Sequence, residues 1–206
     1  MFAIGAETMA LPMDEKMKFE QGDDGMTFGF VIFFVKNKSV VFLNLSNDSY
    51  KALGANAVDA SGKLDCAEFI NVAKDDALTW PQQARRAYPS TVNARMESTI
   101  TPFVRKSLEV NNTLLQAFEG KLGLTAGALM ERHKMEEFSG SETRVTRTPP
   151  CPPDKGQLIG SHTDFGSLVL PLLSCPKDCP CTMTYHIFIV VPAQSAGRLT
   201  SPCSWS

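Results

Sequence analysis

The chain has 206 residues, of which 43% are apolar and 20% charged, a balance that excludes a wholly disordered or collagen-like chain. Its formal net charge of −2 argues against a dedicated nucleic-acid binder, which carries a basic excess. No apolar run approaches the roughly 18–20 residues that span a bilayer, and residues 1–16 have neither a basic start nor a sustained apolar core, so the expectation is a cytoplasmic protein of one or two small domains without membrane or nucleic-acid partners.

Pro12 followed by Asp14 and Glu15 predicts the start of a short helix, since proline suits a first turn and carboxylates favour the positive helix end. Gly22-Asp23-Asp24-Gly25 reads as a turn. Residues 30–35 and 40–45 are two apolar, β-branched and aromatic runs separated by Lys36-Asn37-Lys38-Ser39, the pattern of a hairpin. Both runs are uncharged and sticky, and they sit in polar, Gly-rich surroundings, so residues 30–49 read as an aberrant insertion. The strongest helix covers residues 97–122, where Ile100, Phe103, Val104, Leu108, Leu114, Leu115, Phe118 and Leu122 recur at three- and four-residue steps. Thr101-Pro102 marks its first turn and Gly120 or Gly123 its end. Residues 124–137 read as a second helix with Thr125 as N-cap. Asp75 and Asp76 read as surface carboxylates, and His133, between Arg132 and Lys134, as a solvated helix residue. The Pro-rich stretch 148–156 cannot be regular structure, and residues 158–173 are rich in strand formers. The chain therefore passes from helical to β-rich.

His162-Thr163-Asp164 carries the sharpest chemistry. Residues i and i+2 of a strand point to one face, so an imidazole and a carboxylate project together. They make up two members of the 2-His-1-carboxylate triad that holds non-haem Fe(II). The same tripeptide also suits a structural His–Asp hydrogen bond.

The surrounding residues add a resemblance. Ser161-His162-Thr163-Asp164-Phe165-Gly166, after the Pro149-Pro150-Cys151-Pro152 loop, resembles the iron(II)- and 2-oxoglutarate-dependent dioxygenases, in the isopenicillin-N-synthase-like branch. Leu11-Pro12 with Asp14-Glu15-Lys16 resembles that branch's LP-x-EEK element. Gly29 joined directly to Tyr50-Lys51-Ala52-Leu53-Gly54 would recreate its GYKxxG element. The resemblance covers residues 1–29 and 50–168. It implies an α+β fold in which a helical N-terminal region packs on an incomplete double-stranded β-helix, or jelly roll. It divides the chain into an N-terminal region (1–139), the start of the dioxygenase domain (140–173) and an aberrant tail (174–206). It makes His162 and Asp164 metal ligands and Fe(II) the cofactor, with 2-oxoglutarate and O2 as co-substrates and a small organic molecule as substrate. Thr146 and Thr148 fall where the branch often has an Asn-x-Tyr that helps hold 2-oxoglutarate.

The end of the chain departs from that pattern. The family's distal His lies about fifty residues or more beyond the Asp. Here 42 residues follow Asp164, and they contain only His186, 22 residues on, together with Arg198 and Thr200 in place of the family's Arg-x-Ser. His186 reads as an ordinary strand histidine, and little or no oxygenase activity is expected of this chain. Two other readings stand beside the dioxygenase: a non-catalytic remnant, and a zinc-stabilised binding module using Cys175, Cys179, Cys181 and His186.

Overall fold

Residues 68–73 alternate, with Ile70 and Val72 on one side and Phe69 and Asn71 on the other, and that two-sidedness organises the molecule. The computed structural model describes residues 1–20, 30–35, 38–43, 49–58, 60–82, 86–148, 166–174 and 182–190, and side chains at 1–20, 49–58, 60–82, 86–148 and 166–170. The strands are β1 (Phe30–Val35), β2 (Lys38–Leu43), β3 (Tyr50–Lys51), β4 (Glu68–Ala73), β5 (Glu142–Thr148), β6 (Leu168–Ser174) and β7 (Thr182–Val190). The helices are α1 (Phe2–Met9), α2 (Met13–Met17), α3 (Lys74–Thr79), α4 (Ser90–Asn93) and α5 (Thr101–Leu122). Strands β3-β4-β5-β7-β6 form one antiparallel sheet with β5 at its centre. Mixed helix and antiparallel sheet is the expected class.

The helices cover one face of this sheet. Ile70, Val72 and Val145 share a buried cluster with Val92, Met96, Ile100, Val104 and Leu108. Helix α5 starts at Thr101 with Pro102 in its first turn and ends at Gly123, whose φ of 66° is the left-handed cap that glycine adopts without strain. Its buried stripe runs Val104, Leu108, Asn111, Leu115 and Glu119, at helical spacing. Phe118 and Leu122, which belong to the apolar periodicity read from the sequence, are instead 43% and 67% exposed.

The segment after α5 is not the expected second helix. It forms turns and a single 3-10 turn at Met130–Arg132. The Glu119 carboxylate accepts the backbone N–H groups of Gly127, Leu129 and Met130 at 2.9, 2.7 and 3.1 Å. Those donors are thus used by a side chain rather than by a helix ladder, and the bonds, Gly127's first, hold the Glu119 carboxyl below the usual carboxylate range.

The expected hairpin is present. Strands β1 and β2 pair antiparallel, from Phe30 opposite Leu43 to Val35 opposite Lys38, as a two-stranded sheet separate from the main one. The chain on either side of it lies close together: the Phe19 carbonyl accepts from both the Ser49 and Tyr50 N–H groups, at 3.1 and 2.8 Å.

Candidate functional site

The short elements at the N-terminus converge on Glu68 of β4, on the helix-covered face. Lys16, in α2, donates to Glu68 Oε2 at 2.9 Å and the Tyr50 hydroxyl donates to the same oxygen at 2.7 Å, while Arg147 of β5 closes on Oε1. Burial works to raise Glu68, but it is outweighed by the bonds from Tyr50 and Lys16 and the Arg147 charge, so the carboxyl sits below its usual range. Burial first, then Glu68, push the Tyr50 phenol up. Lys51 pairs with Asp65 at 2.5 Å, and Asp65 also caps the Gly54 N–H at 3.0 Å. Gly54 has a φ of +74°, a conformation open to glycine. Lys16 and Tyr50 of the LP-x-EEK and GYKxxG resemblances are thus buried around Glu68, and Lys51 is buried against Asp65.

The opposite face is polar. Lys51, Phe69, Asn71, Arg144 and Thr146 share it, because β3, β4 and β5 place Lys51 across from Phe69, Phe69 across from Thr146, and Asn71 across from Arg144. The Arg144 guanidinium lies 4.1 Å from the Phe69 ring centre and the Lys51 ammonium 5.5 Å from it. Arg144 Nε donates to Asn71 Oδ1 at 2.8 Å and Nη2 to Glu142 Oε1 at 2.9 Å. Arg86 takes the other Glu142 oxygen at 3.2 Å. Two guanidiniums therefore share one buried carboxylate.

Thr146 and Thr148 are both buried, 2% and 7% exposed. Among the described residues the Thr146 hydroxyl has no hydrogen-bond partner, and neither has Asn71 Nδ2, in a residue with no exposed surface. Orphaned buried polar atoms cost about 1–3 kcal/mol each, and the buried Thr143 hydroxyl and Asn111 amide are unpartnered among the described residues as well, so Thr146 and Asn71 are two free donors on the polar face. This fits an oxygen-rich group such as 2-oxoglutarate. Sequence reasoning named Thr146 but did not place Asn71 and Arg144 on its face, because cross-strand register sets that.

His162 and Asp164 lie outside the described residues, as do Cys175, Cys179 and Cys181. His186 falls on β7, of whose side chains nothing is described. Among the described residues no group of three or more His, Cys, Asp or Glu side chains could hold a metal ion, and no helix is long and apolar enough to cross a membrane.

Two expectations are corrected. Asp75 and Asp76 are not surface carboxylates but buried, 6% and 1% exposed. Asp75 pairs with Lys74 at 3.0 Å, and Asp76 accepts from the Tyr88 hydroxyl at 2.6 Å and the Arg86 N–H at 3.0 Å. His133 is not a solvated helix residue but 7% exposed. Its Nδ1 lies 2.7 Å from the Leu129 carbonyl, which can only accept, so Nδ1 donates there, and Nε2 shares a hydrogen bond with the Ser167 hydroxyl at 2.8 Å. His133 thereby ties the turns after α5 to the start of β6, three residues beyond Asp164.

No family model and no curated protein matches the sequence. Among solved structures, a full-length Neurospora crassa protein, crystallised in complex with alpha-KG, superposes with a TM-score of 0.58 at 14% identity, over 94% of this chain and 65% of that one. A 2OG-Fe(II) oxygenase family protein from Caulobacter crescentus superposes with a TM-score of 0.54 at 14% identity, over 93% of this chain and 72% of that one. The chain thus spans less than two thirds of the Neurospora protein, and what it shares with these two proteins is their fold.

Proposed function

We propose that the chain is a truncated form of a non-haem iron(II), 2-oxoglutarate-dependent oxidoreductase of the isopenicillin-N-synthase-like branch, whose complete form would act on a small organic molecule by hydroxylation, desaturation or cyclisation. The observation that carries this reading is the buried Thr146 hydroxyl, which has no hydrogen-bond partner among the described residues. It lies at a position the family resemblance assigns to 2-oxoglutarate, on a sheet whose fold is shared with 2OG-Fe(II) oxygenases. In this reading residues 1–139 form the N-terminal region on a partial jelly roll, residues 140–173 begin the catalytic domain, and residues 174–206 are an aberrant tail. His162 and Asp164 would hold Fe(II), which when bound supplies O2 activation coupled to decarboxylation of 2-oxoglutarate. Thr146 and Thr148 bind and orient the co-substrate from the sheet face, and the burial of both keeps bulk water from that contact. His133 holds the backbone just after the metal motif through Ser167.

The test is calorimetric titration with Mn(II), an oxygen-inert stand-in for iron, with and without 2-oxoglutarate. Binding tightened by 2-oxoglutarate and weakened at least tenfold in His162→Ala and Asp164→Ala is expected. Absence of Mn(II) binding, or binding indifferent to both substitutions, overturns the reading in favour of a remnant. Zinc retention that depends on Cys179 and Cys181 overturns it in favour of a zinc module.

A further inference from the structure

We infer that Ser167 and His133 form an acyl-transfer site for small carboxylic esters, an activity apart from the metal and co-substrate residues of the reading above. Three observations build it. Ser167 is exposed and stands at the entry to β6, directly after Gly166, whose φ of 105° is a conformation that favours glycine. Its hydroxyl lies 2.8 Å from Nε2 of His133, a residue only 7% exposed. The other ring nitrogen, Nδ1, donates to the Leu129 carbonyl at 2.7 Å. That carbonyl is held in turn: the Met130 N–H of the same peptide unit donates to Glu119 Oε1 at 3.1 Å, and the Leu129 N–H donates to the same oxygen at 2.7 Å.

A serine within hydrogen-bond reach of a base, with the base oriented by a third group, is the arrangement that activates a nucleophile. With the proton on Nδ1, the neutral ring leaves Nε2 to accept from the Ser167 O–H, which is the direction the chemistry needs. Ser167 Oγ bonds to the carbonyl carbon of the ester as its proton passes to His133 Nε2. The bond from that carbon to the alkoxy oxygen breaks, and the alcohol leaves with the proton. Water, deprotonated by the same nitrogen, then releases the carboxylic acid and restores the serine. Because Ser167 is exposed and His133 buried, the ester approaches from solvent, which suits a small acyl group rather than one that needs enclosure.

The experiment treats the 206-residue protein with an alkyl fluorophosphonate, a probe whose P–F bond is displaced by an activated serine with release of fluoride, and locates the label by peptide mass spectrometry. Ser98, also exposed, is the internal control. Ser167 should be labelled about a hundredfold faster than Ser98, the scale of general-base assistance, and His133→Gln should remove that advantage. Hydrolysis of p-nitrophenyl acetate should fall to the buffer rate in Ser167→Ala, with acetyl-Ser167 trapped in the parent. Labelling of Ser167 no faster than of Ser98 in the folded parent overturns the site and leaves the pair as a structural tie. That comparison needs no variant, so it holds even where His133→Gln fails to fold. Labelling of Ser167 at the parent rate in a folded His133→Gln overturns the base assignment, and ester hydrolysis unchanged in Ser167→Ala overturns the substrate class.

Discussion

Glu68 shows how single residues carry the N-terminal half. It is 2% exposed and is reached by Lys16, Tyr50 and Arg147 from three different elements. Removing one member of a buried charged group strands the others, at a cost of about 3–5 kcal/mol. Glu68→Gln leaves the Lys16 ammonium, 3% exposed, without its counter-charge, so a loss of that size is expected in urea denaturation at neutral pH. Because the Glu68 carboxyl lies below its usual range in the folded protein, its contribution is complete above the unfolded pKa and is lost as pH falls through the folded one. The gap between parent and Gln variant should therefore close in acid. A loss under about 1 kcal/mol at neutral pH, the level of solvated surface pairs, would contradict this account. The linear sequence marked Lys16, Tyr50 and Lys51 through motif resemblance, but not their partners. It misassigned Asp75, Asp76 and His133 for the same reason: charged and polar residues default to the surface, and the partners that bury them lie on other elements.

Elements were more legible than residues where periodicity operated. The extent of α5 and its stop at Gly123, one of two glycines the sequence offered, followed from apolar spacing and cap chemistry, although its buried face takes in Asn111 and Glu119 and leaves out Phe118 and Leu122, and the 30–43 hairpin followed from two β-rich runs around a short polar link. The segment after α5 was not legible, because its backbone donors are taken by Glu119, a residue of the preceding helix. The hairpin is also where an element can be removed. Excising residues 30–49 joins Gly29 to Tyr50. The backbone bonds of Ser49, from its N–H to the Phe19 carbonyl and to its carbonyl from the Asn71 N–H, need no side chain and can pass to Gly29. The Ser49 Oγ bond to the Ala87 carbonyl at 2.7 Å is lost, at about 1 kcal/mol. The excised protein should unfold cooperatively with only that modest deficit, and a larger fraction should remain soluble because two sticky runs are gone. Greater aggregation than the parent, or loss of a cooperative transition, would show that the hairpin belongs to the fold.

At the scale of the whole molecule, the main sheet draws β3 and β4 from the N-terminal half and β5, β6 and β7 from the rest. The polar face therefore exists only when distant segments pair. Asn71 and Arg144 are 73 positions apart in sequence. This explains why Thr146 could be named from a local motif while its neighbours could not: cross-strand register is not written in the sequence of either strand alone. The same architecture separates binding from turnover. In the proposed reading the co-substrate positions Thr146 and Thr148 sit on β5, whereas a complete iron site would need a third ligand that, by the spacing of the family the chain resembles, lies farther beyond Asp164 than His186 does. A metal held by two protein groups binds weakly and leaves free the geometry that positions O2 against a substrate. The 206-residue protein is therefore expected to bind 2-oxoglutarate yet form no more succinate than its His162→Ala variant when supplied with Fe(II), ascorbate and O2. Sustained succinate formation by the parent that disappears in His186→Ala would overturn this expectation, because it would make His186 the third ligand despite its 22-residue separation from Asp164.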